Sequence, residues 1–587
     1  MGVTYARGRE VRQRRIRSAA ATRGEWLLAL TSAVVVLAIG LAYAGRTSAE
    51  AWEKEAKPAP INLMTFDRAD ALEAPLATVF DLPADRRFAA RMLAGYLRPD
   101  QRPRPIANVG ALARIEVAAA QIDRDRNVVV FRERLETLRR ETAEARREPP
   151  AAMALFTAAD VTALKPALAV RTSRDFAATV MWCVAALIVP FHIVSIVWRW
   201  RGVGGDRILL ALAQLLVGIG AAVILSRPDP LRDTLLLARY TEGVVIGVML
   251  FGAVSLIDIE RAAFRELSYV PLIAALLLSV TLIVFGSGPG TSNAKVNLGP
   301  VQPIEAIRLL LGLFLAGYFA RRWELLRQVG RLDHVLPVAA GVGAALLLFF
   351  FQKDLGPALL LTLMFLAMFA VARGGVWLAG AGLAALIGGV AIGEWLKVSG
   401  TLAARVEMWH SPWDNLVRGG DQVAQALWGL AAGAVSGTGL GLGHTRFVPE
   451  AHTDLVLAAI GEELGLAGLV MAGTVFALIA WRGLTIARRA PSDYSFFLAL
   501  AMTLSLTIPV AVMAAGILGV LPLTGVVTPF LSYGGSAMAA NFVALGLLAA
   551  VGSDRRPTAD LAPFTIPTRW LGPVSYTHLT LPTILRV

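Results

Sequence analysis

Residues 176–198 read FAATVMWCVAALIVPFHIVSIVW, with no charged side chain, and are flanked by Arg174, Asp175 and Arg199. A helix needs about 20 apolar residues to cross bilayer hydrocarbon, so this stretch predicts a membrane span. Eleven similar runs lie near 26–44, 207–225, 235–257, 269–284, 303–320, 335–351, 355–372, 376–396, 464–481, 496–519 and 534–551. Composition agrees: of 587 residues, 56% are hydrophobic and 17% charged, against roughly 25% charged in a soluble domain. An ordinary cytosolic enzyme is thereby excluded. So are collagen, coiled-coil and disordered chains, which need a Gly-X-Y period, sustained heptads, or low hydrophobicity with high net charge. The expected fold class is an all-α polytopic membrane protein. Cys183 is the single cysteine, which rules out an intramolecular disulfide and a cysteine-built zinc site.

The net charge of +13 could suggest nucleic acid, but the arginines cluster at the ends of apolar runs, where they set orientation. Arg7, Arg9, Arg12, Arg14, Arg15, Arg17 and Arg23 precede the first run and predict a cytoplasmic N-terminus. That run exceeds the ~7–15 residues of a signal-peptide core, so an uncleaved anchor is favoured over a signal peptide cut after Ala44. Alternation then places Arg199, Arg201, Arg207, Arg261, Arg265, Arg321, Arg322, Arg327, Arg331, Arg373, Arg482, Arg488, Arg489, Arg555 and Arg556 on the cytoplasmic side. Both termini are expected on the cytoplasmic side of the membrane. Segment 1–45 is read as basic tail and anchor, 46–175 as an extracytoplasmic helical module, and 176–200 as a second span. Segment 207–552 is read as a ten-span core and 553–573 as a cytoplasmic tail.

Within the module, the stretches 98–105 and 148–150 are proline-rich and should break helices, while 131–147 reads as a solvated charged helix. Residues from Val574 onward resemble a translated sequencing adapter and are set aside, His578 with them. The loop from Lys397 to about Glu463 far exceeds the ~4–6 residues of most connections, and its Trp409, Trp413 and Trp428 favour the membrane interface.

The densest polar string closes that loop: Val448-Pro449-Glu450-Ala451-His452-Thr453-Asp454, then Gly461-Glu462-Glu463. Ionisable groups near hydrocarbon are costly, and so are functional hypotheses. A half-buried carboxylate has its pKa raised toward the range of a general base. Asp454 could equally cap the following helix, and residue chemistry leaves both readings open. His410, His444 and His452 match no helical metal-ligand spacing, and no metal site is expected. The glycines of 437–443 lack the spacing of a phosphate loop and read as a tight turn.

Four ordered motifs then carry a family resemblance. Pro449-Glu450-Ala451-His452-Thr453-Asp454 with Glu462-Glu463-Leu464-Gly465 resembles the signature of the RodA/FtsW family, the shape, elongation, division and sporulation (SEDS) proteins. Pro529-Phe530-Leu531-Ser532-Tyr533-Gly534-Gly535-Ser536, Gln352-Lys353-Asp354-Leu355-Gly356 and Gln302-Pro303-Ile304-Glu305 resemble three further motifs in family order. Arg405, Gln422 and Gln425 fall where the family's large loop has an arginine and two glutamines. Lys353, Ile304, Pro357 and Lys295 depart from the pattern. The resemblance covers 207–552 and leaves the first two spans and the module outside it.

It implies a peptidoglycan glycosyltransferase that polymerises lipid II at the outer face of the membrane and releases undecaprenyl diphosphate, for elongation or division. Asp454 falls on the family's essential base. Substrate contacts are expected from Arg405, Lys295, Glu305, Arg308, Lys353, Asp354, Gln422, Glu450, His452, Glu462, Ser532 and Tyr533; Glu305 and Arg308 could equally form a buried pair. The usual partner is a single-span class B penicillin-binding transpeptidase, and a divalent cation, magnesium or manganese, is chemically reasonable beside a diphosphate. No nucleic acid is expected. The competing readings are a flippase for the same lipid-linked precursor, which should carry its ionisable groups at mid-bilayer on broken helices, and a non-catalytic scaffold.

Overall fold

The computed structural model describes residues 24–48, 60–66, 68–98, 105–145, 147–260, 269–288, 294–327, 332–397, 400–414 and 420–553. The N-terminal arginines before Gly24, residues 99–104 of the proline-rich break, Arg261, Arg265, Arg331, Arg555, Arg556 and the adapter-like tail lie outside the described residues.

A helix covers each of the twelve apolar runs: α1 (Gly24–Ser48), α2 (Ser173–Trp200), α3 (Arg207–Ser226), α4 (Leu236–Ser255), α5 (Val270–Phe285), α6 (Ile304–Arg327), α7 (Leu336–Phe351), α8 (Leu355–Arg373), α9 (Trp377–Trp395), α10 (Val456–Arg488), α11 (Asp493–Ile517) and α12 (Gly535–Val551). Eight are long and apolar enough to cross a membrane; α5, α7 and α12 are shorter, and α6 carries charge at both ends.

Local chemistry starts these helices. Thr172 and Asp175 form a capping box at α2. The Asp206 carboxylate accepts from the Ile208 and Leu209 amides at the head of α3. Asp206 also receives Arg482 at 2.5 Å, and Arg199 and Arg207 lie 3.7 and 3.9 Å from Glu25. Basic termini of α2, α3 and α10 thus meet at one end of the bundle, in line with the charge alternation read from sequence.

α3 is buried almost throughout and forms the axis. Against it the Tyr240 hydroxyl of α4 donates to the carbonyls of Val217 (3.1 Å) and Phe530 (2.6 Å), tying two helices to the turn before α12. Gly243 faces Gly535, and Gly247 lies under the Phe542 ring. The small residues let α4 and α12 approach closely.

α1 and α2 belong to the same body. Thr31 donates to the fully buried Gln214 of α3 at 2.6 Å, Gln214 donates to Ser32 at 3.0 Å, and Ser32 meets His192 of α2 at 2.9 Å. The glycine run 437–443 folds against the far end of α1, with Leu440 and Gly441 against Gly45. Gly437, Gly439 and Gly441 take positive φ there, which supports the tight-turn reading.

The 60–172 module has its own core around Phe80, Phe88, Phe131, Leu135 and Phe156. It is largely helical, as the sequence reading has it, with little strand. Two short ladders occur, Ile61–Asn62 with Leu168–Ala169 in parallel and Glu116–Ala118 with Ala152–Ala154 antiparallel. The charged helix Val130–Glu144 buries Phe131 and Leu135 on one face, so it is amphipathic rather than wholly solvated.

The long loop carries helices Gly400–His410 and Gly420–Gly433. α10 also begins eight residues before the apolar run at 464, and breaks at Gly465 with φ 66° and ψ −164°. The sequence reading missed that first segment because Glu462 and Glu463 interrupt its apolar pattern; both are buried. A side chain at Gly465 would run into the backbone of Gly437 and Val435 as well as being strained at positive φ. Gly465→Ala should therefore cost about 1–3 kcal/mol, read as a lower midpoint of thermal unfolding in detergent.

Candidate functional site

Asp454 lies in the turn before α10. The helix is capped at Leu455 without a side-chain hydrogen bond, so the capping reading of Asp454 is overturned. Its carboxylate instead faces Gly525 and Arg405: a Cβ built on Gly525 would sit 3.2 Å from Asp454 Oδ2 and 3.8 Å from Arg405 Nη2. Arg405, on helix Gly400–His410, donates from Nη1 to the Leu523 carbonyl at 3.0 Å. Asp354 precedes α8 and shares the same field. Two carboxylates and one guanidinium from three distant segments therefore form a single site.

Burial raises the pKa of Asp454 to about 6, helped by the negative charges of Glu450 and Asp354 and opposed by Arg405. Burial likewise raises Asp354 to about 6, with Arg405 and a hydrogen bond from the Gly356 amide pulling the other way. Near neutral pH each is mostly ionised yet within reach of protonation, the condition a general base requires. Burial lowers the pKa of Arg405, offset by both carboxylates, and an arginine keeps its charge regardless.

The turn is held from several sides. Ser532 donates to the Thr453 carbonyl at 2.6 Å and accepts from the Thr528 amide at 2.8 Å. The Tyr533 amide donates to the His452 carbonyl at 2.6 Å, and the two rings lie 5.5 Å apart. Thr453 donates to Glu450 at 2.8 Å, and Glu450 has a left-handed φ of 50°. His452 Nδ1 meets Arg227 Nη1 in a short contact. Burial and that guanidinium depress the His452 pKa to about 4, so the ring is neutral at pH 7. Ser532, Tyr533, His452 and Glu450 thus shape the turn that carries Asp454.

Other sequence candidates are distributed differently. Lys353 is exposed at the tip between α7 and α8 with φ 59°. Lys295 donates from Nζ to the Gly286 carbonyl at 2.8 Å, and its amide donates to Gln352 at 2.9 Å. Glu305 and Arg308 form an ion pair at 3.0 Å with side chains 13% and 10% exposed, and Arg308 also donates to Asn541 of α12 at 2.6 Å. That geometry favours a pair joining α6 to α12, with Glu305 still close enough to Asp354 to raise its pKa. Gln422 is half-buried on helix Gly420–Gly433.

Glu462 is buried and accepts from the His444 amide at 2.5 Å, bracing the loop from within. Among the described residues no group of three His, Cys, Asp or Glu side chains is placed to hold a metal ion. Sequence reading passed over Arg227. In the sequence it is simply a cation closing an apolar run, with no motif around it.

The cell cycle protein family that groups FtsW, RodA and SpoVE matches residues 207–556. The chain is 30% identical to the peptidoglycan glycosyltransferase RodA of Mycobacterium leprae, over 60% of this chain and 78% of that protein. It is 32% identical to a probable peptidoglycan glycosyltransferase FtsW of Alkalilimnicola ehrlichii, over 60% of this chain and 89% of that one. A solved structure concerned with the coordination of polymerization and crosslinking by a peptidoglycan synthase complex shows 28% identity and a TM-score of 0.48, covering 59% of this chain and 97% of its own.

Because Arg405 opposes the upward shift of both acids, Arg405→Met should raise the pKa values of Asp354 and Asp454 further. Carboxyl ¹³C resonances of labelled aspartate, followed against pH, would show the titration moving upward; an unchanged titration would contradict this electrostatic arrangement.

Proposed function

Since the chain belongs to the FtsW/RodA/SpoVE family of cell cycle proteins, we propose that it is a peptidoglycan glycosyltransferase that polymerises lipid II, with residues 207–552 as the polymerising core. The observation that carries the mechanism is the half-buried Asp454 carboxylate beside Arg405. In this reading Asp454 takes the proton from the acceptor sugar's hydroxyl, and the freed oxygen pair attacks the donor's anomeric carbon. The bond from that carbon to the diphosphate breaks, and undecaprenyl diphosphate departs with the electron pair. Such a leaving group needs no acid, so one base and one cation suffice.

Arg405 is the cation for the diphosphate, since a guanidinium binds such oxygens in a fork. Asp354 keeps that guanidinium oriented, and Lys295 and Lys353 lie near the same end as reserve positive charge. Magnesium or manganese would fit as a companion of the diphosphate, because it keeps substrate phosphates and one or two carboxylates as ligands; it would supply further charge neutralisation. The active site faces outward and both termini are cytoplasmic. A single-span class B penicillin-binding transpeptidase is the expected partner, as the family resemblance implies.

The flippase reading places ionisable groups at mid-bilayer. Asp354, Arg405 and Asp454 all sit instead at one end of the bundle, off the spanning helices, which favours the enzyme. Purified protein should build glycan strands from lipid II, and Asp454→Asn should lose about 10²–10⁴-fold of the rate. Equal strand formation by both would overturn the mechanism, and lipid movement without polymer would favour the flippase.

The rate should also fall as pH drops through about 6, because protonation removes the base. Glu450→Gln removes a charge that raises the Asp454 pKa, so the acidic limb should shift to lower pH by a fraction of a unit.

A further inference from the structure

Among the described residues, the 60–172 module is bonded to the short connection 227–235 between α3 and α4. The Val109 and Val170 amides each donate at 2.9 Å, to the carbonyls of Arg232 and Leu231. Arg171 Nη1 donates to the carbonyls of Pro230 (2.7 Å) and Asp233 (2.6 Å), while its Nη2 donates to Ala107 at 2.9 Å. Asn108 donates to Thr234 at 2.6 Å, Arg232 to the Pro166 carbonyl at 2.9 Å, and Lys165 pairs with Asp233 at 2.6 Å.

The connection is also braced internally. Asp229 accepts from the Leu231 and Arg232 amides and pairs with the Arg232 side chain at 2.7 Å. Arg46 of α1 donates to the Pro228 carbonyl at 3.2 Å. At its near end stands Arg227, which meets the His452 ring and donates to the Val448 carbonyl at 3.5 Å. With His452 neutral, Nδ1 accepts from the guanidinium and the ring proton sits on Nε2.

One rigid connection thus bonds to the module on one side and to the turn before Asp454 on the other. We propose that the module acts on the polymerising site in cis: by clamping residues 228–234 it holds Arg227 against His452 and Val448, and so fixes the turn that presents Asp454. Arg227 is a positioning residue here, since it acts through His452 and touches no reacting atom. The proposal rests on the polymerase reading only for its effect on rate. The mechanical link from module to turn stands on geometry alone.

The test uses the full chain in detergent or nanodiscs and the double variant Lys165→Ala/Arg171→Ala, which removes three side-chain bonds across the interface without touching the site. Backbone amides of 448–455 should exchange hydrogen about tenfold faster, while α6 and α12 keep their protection. Strand formation should show kcat about tenfold lower with KM for lipid II within twofold, as misplacement of a catalytic group predicts. Arg139→Ala, which breaks an exposed pair with Asp123 on the module, should change neither.

Should the double variant fail to fold, Asn108→Ala and Arg227→Gln provide milder cuts at the two ends of the connection, with the same direction expected. Unchanged exchange at 448–455 in a folded variant overturns the proposal, whatever the activity. Faster exchange there in a protein that makes no polymer even as wild type supports the link and defeats the polymerase reading instead.

Discussion

Asp354, Arg405 and Asp454 share one poorly solvated site although each comes from a different part of the chain, and the cost of burying them constrains everything around them. A buried carboxylate without a partner is expensive, and two beside each other more so. One guanidinium offsets part of that cost for both acids. What remains leaves both acids near the pKa where a proton can be taken and returned, the property the proposed base needs.

That role explains the density of bonds to the turn before α10. A segment with few bonds would open locally and rehydrate its charge. Instead Ser532 and Tyr533 hold its carbonyls from the α12 side, Arg227 holds its imidazole from the α3 side, and Glu463 and Glu462 accept from the Gly441 and His444 amides, in and just after the glycine run. The break at Gly465 lets α10 start early, beside the site, and then redirect into its long apolar stretch.

Much of this was legible in the sequence for identifiable reasons. Span positions followed from apolar length, which bilayer thickness fixes, and the candidate base stood out as an acidic residue in a polar string at a span's edge. The resemblance supplied Arg405 and Asp354, which no spacing rule would have joined to Asp454. Less legible were features set by tertiary context. Asp454 failed to cap its helix because Leu455 occupies that position. Glu462 resembled a ligand by type, but its burial against a loop amide was invisible in one dimension. The strands of the module are two or three residues long, too short to show alternation. Arg227 looked like an ordinary helix-end cation.

The seam of Gln214, Thr31, Ser32 and His192 makes the two additional helices something other than a detachable leash. Among the described residues, an amide at zero exposure in the middle of α3 finds its partners on α1, and in hydrocarbon there is no water to replace them. A fragment beginning at Arg207 would turn that amide toward lipid tails and invite either a second copy or a foreign helix to satisfy it. Evolutionary loss of the appendage would therefore have to be accompanied by an apolar residue at position 214.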